Sequence, residues 1–140
     1  MNLQKAAINI LRATSALFLL LGVAHLIATS HIADLLAGTP EKIYAQAIGP
    51  ALLNHVLVGI LLLPLGYTTW WAAQEHLRGN PRAQWILRTN AVVALSLPLS
   101  LVVFMRKASY YHAPLFLAGV ILATAIALLM LLAVALLKRQ

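Results

Sequence analysis

Hydrophobic positions along this chain gather into four runs, residues 13–29, 51–73, 85–105 and 114–137, and the charged residues concentrate in the segments between and beside them. His25, His55 and Arg88 are the basic residues inside the first three runs, and the fourth contains none. Each run has the length a membrane-crossing helix needs, roughly 20 residues. The expected fold is all-α: a polytopic, four-helix antiparallel transmembrane bundle with spans near residues 8–30, 50–73, 82–105 and 113–137, forming one domain over 1–140.

A second pattern lies inside the runs. At coiled-coil spacing, small and polar residues line up as Ser15, Phe18, Gly22, His25 and Thr29 in the first span and as His55, Gly59, Leu62, Gly66 and Thr69 in the second. The fourth gives His112, Phe116, Gly119, Ala123, Ile126 and Met130. Small residues let helix backbones approach in a membrane, so these stripes should face inward. Thr89, Ser96 and Ser100, with Asn90, should serve packing of the third span, while Gly119, Ala123 and Ala127 form a small-residue series that suits packing or self-association. Pro64 and Pro98 fall within spans and can kink them.

The connections carry their own signals. Residues 30–49 read as the longest loop, on the outer side, with Thr39-Pro40-Glu41 marking the start of a short interfacial helix over about 40–48. Gly79-Asn80-Pro81 reads as a turn, then an N-cap and a first-turn proline. Trp70, Trp71 and Trp85 flank that turn as aromatic-belt residues would. The connection around 106–113 is short, which makes its two spans antiparallel neighbours.

Composition narrows the class. Hydrophobic residues make up 62% of the chain, charged residues 9%, and the mean hydropathy is +0.89. That is far from the globular balance, in which about a quarter of residues are charged. The net charge of +7 comes from basic residues beside the spans, a topology signal and not a nucleic-acid surface. With the N-terminus inside, Lys5, Arg12, Arg78, Arg82, Arg88, Lys138 and Arg139 are cytoplasmic and Lys42, Arg106 and Lys107 are not. Both termini are therefore expected on the cytoplasmic side of the cell (inner or plasma) membrane. A cleaved signal peptide over residues 1–30 is the rival, opposed by apolar character from Ala6 to Thr29 and by a histidine within the core.

The chemistry available is limited. There is no cysteine, so disulfides, thiolate nucleophiles and iron–sulfur ligation are excluded. Asp34, Glu41 and Glu75 all lie outside the apolar runs, which removes a buried carboxylate dyad and argues against cation-coupled transport. Histidine remains. His25 lies five residues before Ser30 and His55 five after Pro50, so both are expected roughly 7–8 Å below the outer boundary, with His112 shallower. Asn54, Arg106, Tyr110 and Tyr111 belong to the same layer, and His31 and His76 read as loop residues.

An inward histidine pair suits several ligands. His25 and His55 could hold a metal ion or a haem iron, or exchange protons with a quinone-like or lipid-like molecule. Arg106 would pair with an anionic group, and Tyr110, Tyr111 and Asn54 would donate hydrogen bonds. The competing expectation is that the histidines are packing contacts in an accessory subunit with a membrane-protein partner. A small oligomeric transporter is the third class, and no motif names a reaction.

Overall fold

The computed structural model describes residues 3–104 and 114–137, apart from the side chains of residues 44, 115 and 116. The described residues are helical: α1 (Leu3–Leu36), α2 (Glu41–Ile43), a π-helical turn (Tyr44–Ile48), α3 (Gly49–Leu77), α4 (Pro81–Phe104) and α5 (Pro114–Leu136). Four helical stretches, Leu3–Leu36, Glu41–Leu77, Pro81–Phe104 and Leu117–Leu136, are long and apolar enough to cross a membrane.

The first connection differs from its expectation. α1 continues through Ser30 and His31 to Leu36, and the Ser30 hydroxyl is satisfied within it, donating to the Ile27 carbonyl at 2.8 Å. Polarity there does not end the helix. The expected separate interfacial helix is instead joined end to end with α3 through the π-helical turn. Pro50 explains the wider turn, since a proline lacks an N–H and its ring crowds the carbonyl one turn back. Helical distances to a loop therefore do not set the depth of His25 or His55.

The chain divides into two compact units. Unit 2, Ser15–Tyr67, is a helical hairpin in which α1 and α3 run antiparallel: Ser15 pairs with Gly66, Gly22 with Gly59, and Thr29 with His55. The approach is close. A Cβ added to Gly22 would lie 2.9 Å from Leu63 Cδ2 and 3.0 Å from the Gly59 carbonyl oxygen, and one on Gly66 would lie 2.9 Å from the Ser15 carbonyl oxygen. Ser15 Oγ donates to the Gly66 carbonyl at 2.5 Å.

Unit 1 holds Met1–Thr14 and Thr68–Gln140. Its described core takes Ile8, Leu11 and Thr14 from α1, Thr69, Ala72 and His76 from α3, Leu87, Asn90 and Ala94 from α4, and Ile126, Met130 and Ala133 from α5. Spacings of three and four residues recur in all four helices, as a single buried face requires. Asn90 Nδ2 donates to Thr68 Oγ1 at 2.9 Å and to Thr69 Oγ1 at 3.0 Å, tying α4 to α3. The turn after α3 is a Schellman motif: Gly79 at φ 82° donates to the His76 carbonyl and Asn80 to that of Glu75. Asn80 then caps α4, its Oδ1 accepting from the Arg82 amide at 3.1 Å. The capping reading of Asn80-Pro81 holds.

Several expected positions are placed elsewhere. Thr89, Ser96 and Ser100 are exposed, and both serine hydroxyls are satisfied by carbonyls of α4 itself, those of Val93 and Ser96. Gly119 is exposed with nothing near it, whereas Ala127, two turns on, is buried. His76 is fully buried in the last turn of α3 and is not a loop residue. His31 is helical and exposed. Both α3 and α4 continue through Pro64 and Pro98.

The glycine contacts separate two otherwise similar substitutions. Gly59→Ala should destabilise the detergent-solubilised protein by about 1–3 kcal/mol, because its Cβ meets Leu26 and the Gly22 carbonyl oxygen at 3.0–3.1 Å. Gly119→Ala, in open space, should be neutral or slightly stabilising. Thermal unfolding of the two variants, compared with the parent, decides it.

Candidate functional site

Within unit 2 the histidines of the first two apolar runs, His25 and His55, come together. The imidazoles of His25 and His55 stack with centroids 4.5 Å apart and planes 25° from parallel. The glycine contact brings α1 and α3 close one turn below. His25 lies three residues after Gly22 and His55 four before Gly59, so the antiparallel register sets both rings at the same level.

Hydrogen bonds define the tautomers. His25 Nδ1 lies 3.1 Å from the Leu21 carbonyl oxygen, which can only accept, so Nδ1 carries the proton. Thr29 Oγ1 donates its one hydrogen to the His25 carbonyl at 2.7 Å and also lies 2.6 Å from His55 Nδ1. Both contacts are met together only if His55 Nδ1 donates to the hydroxyl. Each neutral imidazole is then an Nδ1–H tautomer with its lone pair on Nε2. Thr29, buried in the hairpin, is the orienting group. It stood in the inward stripe, but its role required knowing where His55 meets it.

His55 also forms part of the wall of an open groove of about 250 Å³ whose other lining residues are Ile32, Leu36, Ala47, Ile48, Ala51 and Leu52. The groove is apolar apart from the imidazole. Its walls follow helical spacing from the histidines: Ile32 is seven residues after His25, and Ile48, Ala51 and Leu52 lie seven, four and three before His55. Reading residues 30–49 as a connection, with a separate short helix near 40–48, concealed Ile32, Leu36, Ala47 and Ile48. The π-helical turn supplies Ala47 and Ile48, a placement in keeping with the frequent occurrence of such turns at functional sites.

The remaining candidates do not join this group. Asn54 is exposed, one residue and about 100° of helix rotation from His55. Arg106, Tyr110, Tyr111 and His112 lie outside the described residues. Among the described residues, no group of three or more His, Asp or Glu side chains could hold a metal ion. A haem does not fit between the two histidines as they stand. Axial ligation needs their nitrogens to face an iron from opposite sides of the porphyrin, each about 2 Å away, and rings stacked at 4.5 Å leave no room for the macrocycle.

Comparisons with protein-family models, with curated proteins and with solved structures find no match to this chain.

The tautomer assignment is open to direct measurement. In ¹⁵N spectra of histidine-labelled protein at a pH where both rings are neutral, His25 and His55 should show protonated Nδ1 and bare Nε2. Thr29→Val should release His55 from that state and leave His25 in it. Protonated Nε2 on His55 in the parent protein would contradict the hydrogen-bond pattern.

Proposed function

We propose that this chain is a multi-pass protein of the cell membrane, an antiparallel bundle of four spans with both termini cytoplasmic, whose histidine pair serves a small amphipathic ligand. Its side chains are distributed inside out. Thr14, Ser15, Thr29, Thr69, His76 and Asn90 are buried, while Leu20, Ile27, Leu61, Val92, Ile121 and Phe104 are 60–83% exposed. In water so much exposed apolar surface would drive aggregation, and lipid removes that penalty. α1, at about 51 Å, exceeds the roughly 30 Å hydrocarbon thickness, so its ends reach the headgroups or it tilts.

Seven of the ten Lys and Arg fall on the side of the termini in this topology. The chain's lack of cysteine makes the orientation simple to test. In intact cells a membrane-impermeant maleimide should label Thr39→Cys and spare Arg78→Cys until the membrane is permeabilised. The reverse pattern would invert the topology.

For the ligand, the observation that carries the proposal is His55 in the wall of an apolar groove with Nδ1 already committed to Thr29. What His55 then offers is an Nε2 lone pair beside apolar side chains. That combination suits a molecule with a hydroxyl or phenol on an apolar body, a quinol above all. The groove's volume of about 250 Å³ is slightly below the roughly 300–1,000 Å³ of ligand pockets, enough for a ring while an alkyl tail remains in lipid. His25, stacked behind His55, fixes the ring's orientation.

Binding of an alkyl-tailed benzoquinol to the detergent-purified protein, followed by equilibrium dialysis, tests the assignment. His55→Phe keeps the stack and removes the acceptor, and Leu52→Trp fills the groove. Each should weaken binding by about tenfold or more, the loss expected when a buried hydrogen bond or its site is removed, and His31→Ala should not. Equal binding by all four proteins, or none by the parent, would end the proposal.

A further inference from the structure

We infer that α1 carries a second site, an anion groove for a phosphate group, lined by Gln4, Lys5, Ile8, Asn9, Arg12 and Leu77 in unit 1. It shares no residue with the histidine groove and does not rest on that assignment. The groove is open, with a volume of about 380 Å³. Lys5, Ile8, Asn9 and Arg12 fall at helical spacing on one face of α1, so two cations and an amide share the groove with the apolar Ile8 and Leu77.

Arg12 is the reason to expect an anion. Its Nη2 donates to Gln74 Oε1 at 2.9 Å, and its guanidinium lies 6.0 Å from the Trp70 ring centroid. Both neighbours hold the group in place without neutralising it. Its Nε is buried with no hydrogen-bond partner. Glu75, one residue beyond Gln74, is engaged by Arg78 at 2.6 Å and by Asn80 at 3.2 Å. No acidic residue lines the groove, and the single ion pair among the described residues is Arg78–Glu75.

A guanidinium held at the groove wall with no carboxylate partner suits the acceptor oxygens of a phosphate, and the exposed Lys5 adds a point charge. The apolar pair Ile8 and Leu77 beside the cations suits the glycerol end of a phospholipid. A free phosphate presents the same anionic oxygens and lacks the apolar part. The shared chemistry is an anionic phosphate group held by Arg12 and Lys5.

The probes are phosphatidylglycerol and phosphatidylcholine, each in mixed micelles, and inorganic phosphate, with bound probe measured by native mass spectrometry or by the shift in unfolding temperature. Phosphatidylglycerol should bind in preference to phosphatidylcholine, and Lys5→Gln should weaken it about fivefold. Arg12→Lys, which keeps the charge and loses the planar fork, should weaken it further, and Lys42→Gln, outside the groove, should leave it unchanged. If inorganic phosphate competes at similar concentration, the site stands with free phosphate as its ligand; failure to compete identifies the lipid headgroup. Equal binding of the two lipids with no response to inorganic phosphate overturns the site. So does an equal loss in Lys5→Gln and Lys42→Gln, which would mean diffuse attraction to a basic protein. Lys5 is exposed, so its variant keeps the test decisive even if Arg12→Lys fails to fold.

Discussion

The contact on which the hairpin depends is made of atoms that are not there. Gly22 and Gly59 lack the Cβ atoms that would collide with the facing helix, and each backbone therefore reaches the other's carbonyl region at a separation no alanine would allow without movement. Gly66 repeats the arrangement against Ser15, about two turns along α3. For helices in the membrane setting proposed above, hydrophobicity gives no reason to choose one another over lipid, so close van der Waals packing and hydrogen bonds must supply the preference. The imidazole stack follows from this approach. One turn from Gly22, with the axes already drawn together, His25 and His55 have little room for any arrangement other than face to face.

Buried polar groups in both units are handled locally. Thr14 bonds the Leu11 carbonyl, Thr29 that of His25, and Thr124 that of Val120. Ser15, Asn90, Thr29 with His55, and Arg12 with Gln74 reach across to another helix. Each crossing joins α1 to α3 or α3 to α4 within a single unit. Asn90 uses both amide hydrogens on threonine hydroxyls of α3 and so packs α4 against it. Such bonds also fix register, because a one-residue slip would strand every partner and an unsatisfied buried polar group is costly.

Much of this was legible in the sequence wherever spacing alone decides the outcome. The stripe from Ser15 to Thr29 and its counterpart from His55 to Thr69 are the residues at the hairpin interface or in the cores, since small residues at heptad spacing have one plausible use in an apolar helix. Extending the second stripe by seven residues from Thr69 reaches His76, which polarity alone had assigned to a loop. The same bias misplaced the end of α1: hydropathy falls at Thr29-Ser30-His31, but a polar residue does not by itself end a helix, and α1 runs on to Leu36 with the Ser30 hydroxyl bonded to its own turn. Two features lay beyond any pattern. Thr29 meeting His55 and Gln74 meeting Arg12 depend on the register between helices, which no single helix contains.

The way the two imidazoles are held bears on why there are two. A histidine used only as glue between membrane helices could be replaced by one more serine or threonine, which already bond well in this chain. Here both rings direct Nδ1 into the hairpin, and the same hydroxyl that binds one ring is itself bonded to the backbone carbonyl of the other. Orientation of a neutral imidazole through Nδ1–H is the arrangement that leaves the Nε2 lone pair defined, as in ligating histidines generally. Placing one such ring in the wall of a groove otherwise lined by Ile, Leu and Ala side chains adds a directional acceptor to a surface that packing alone would have kept apolar. The proposed ligand, a hydroxyl donor on an apolar body, would account for both halves of that arrangement, and a metal ion for only one.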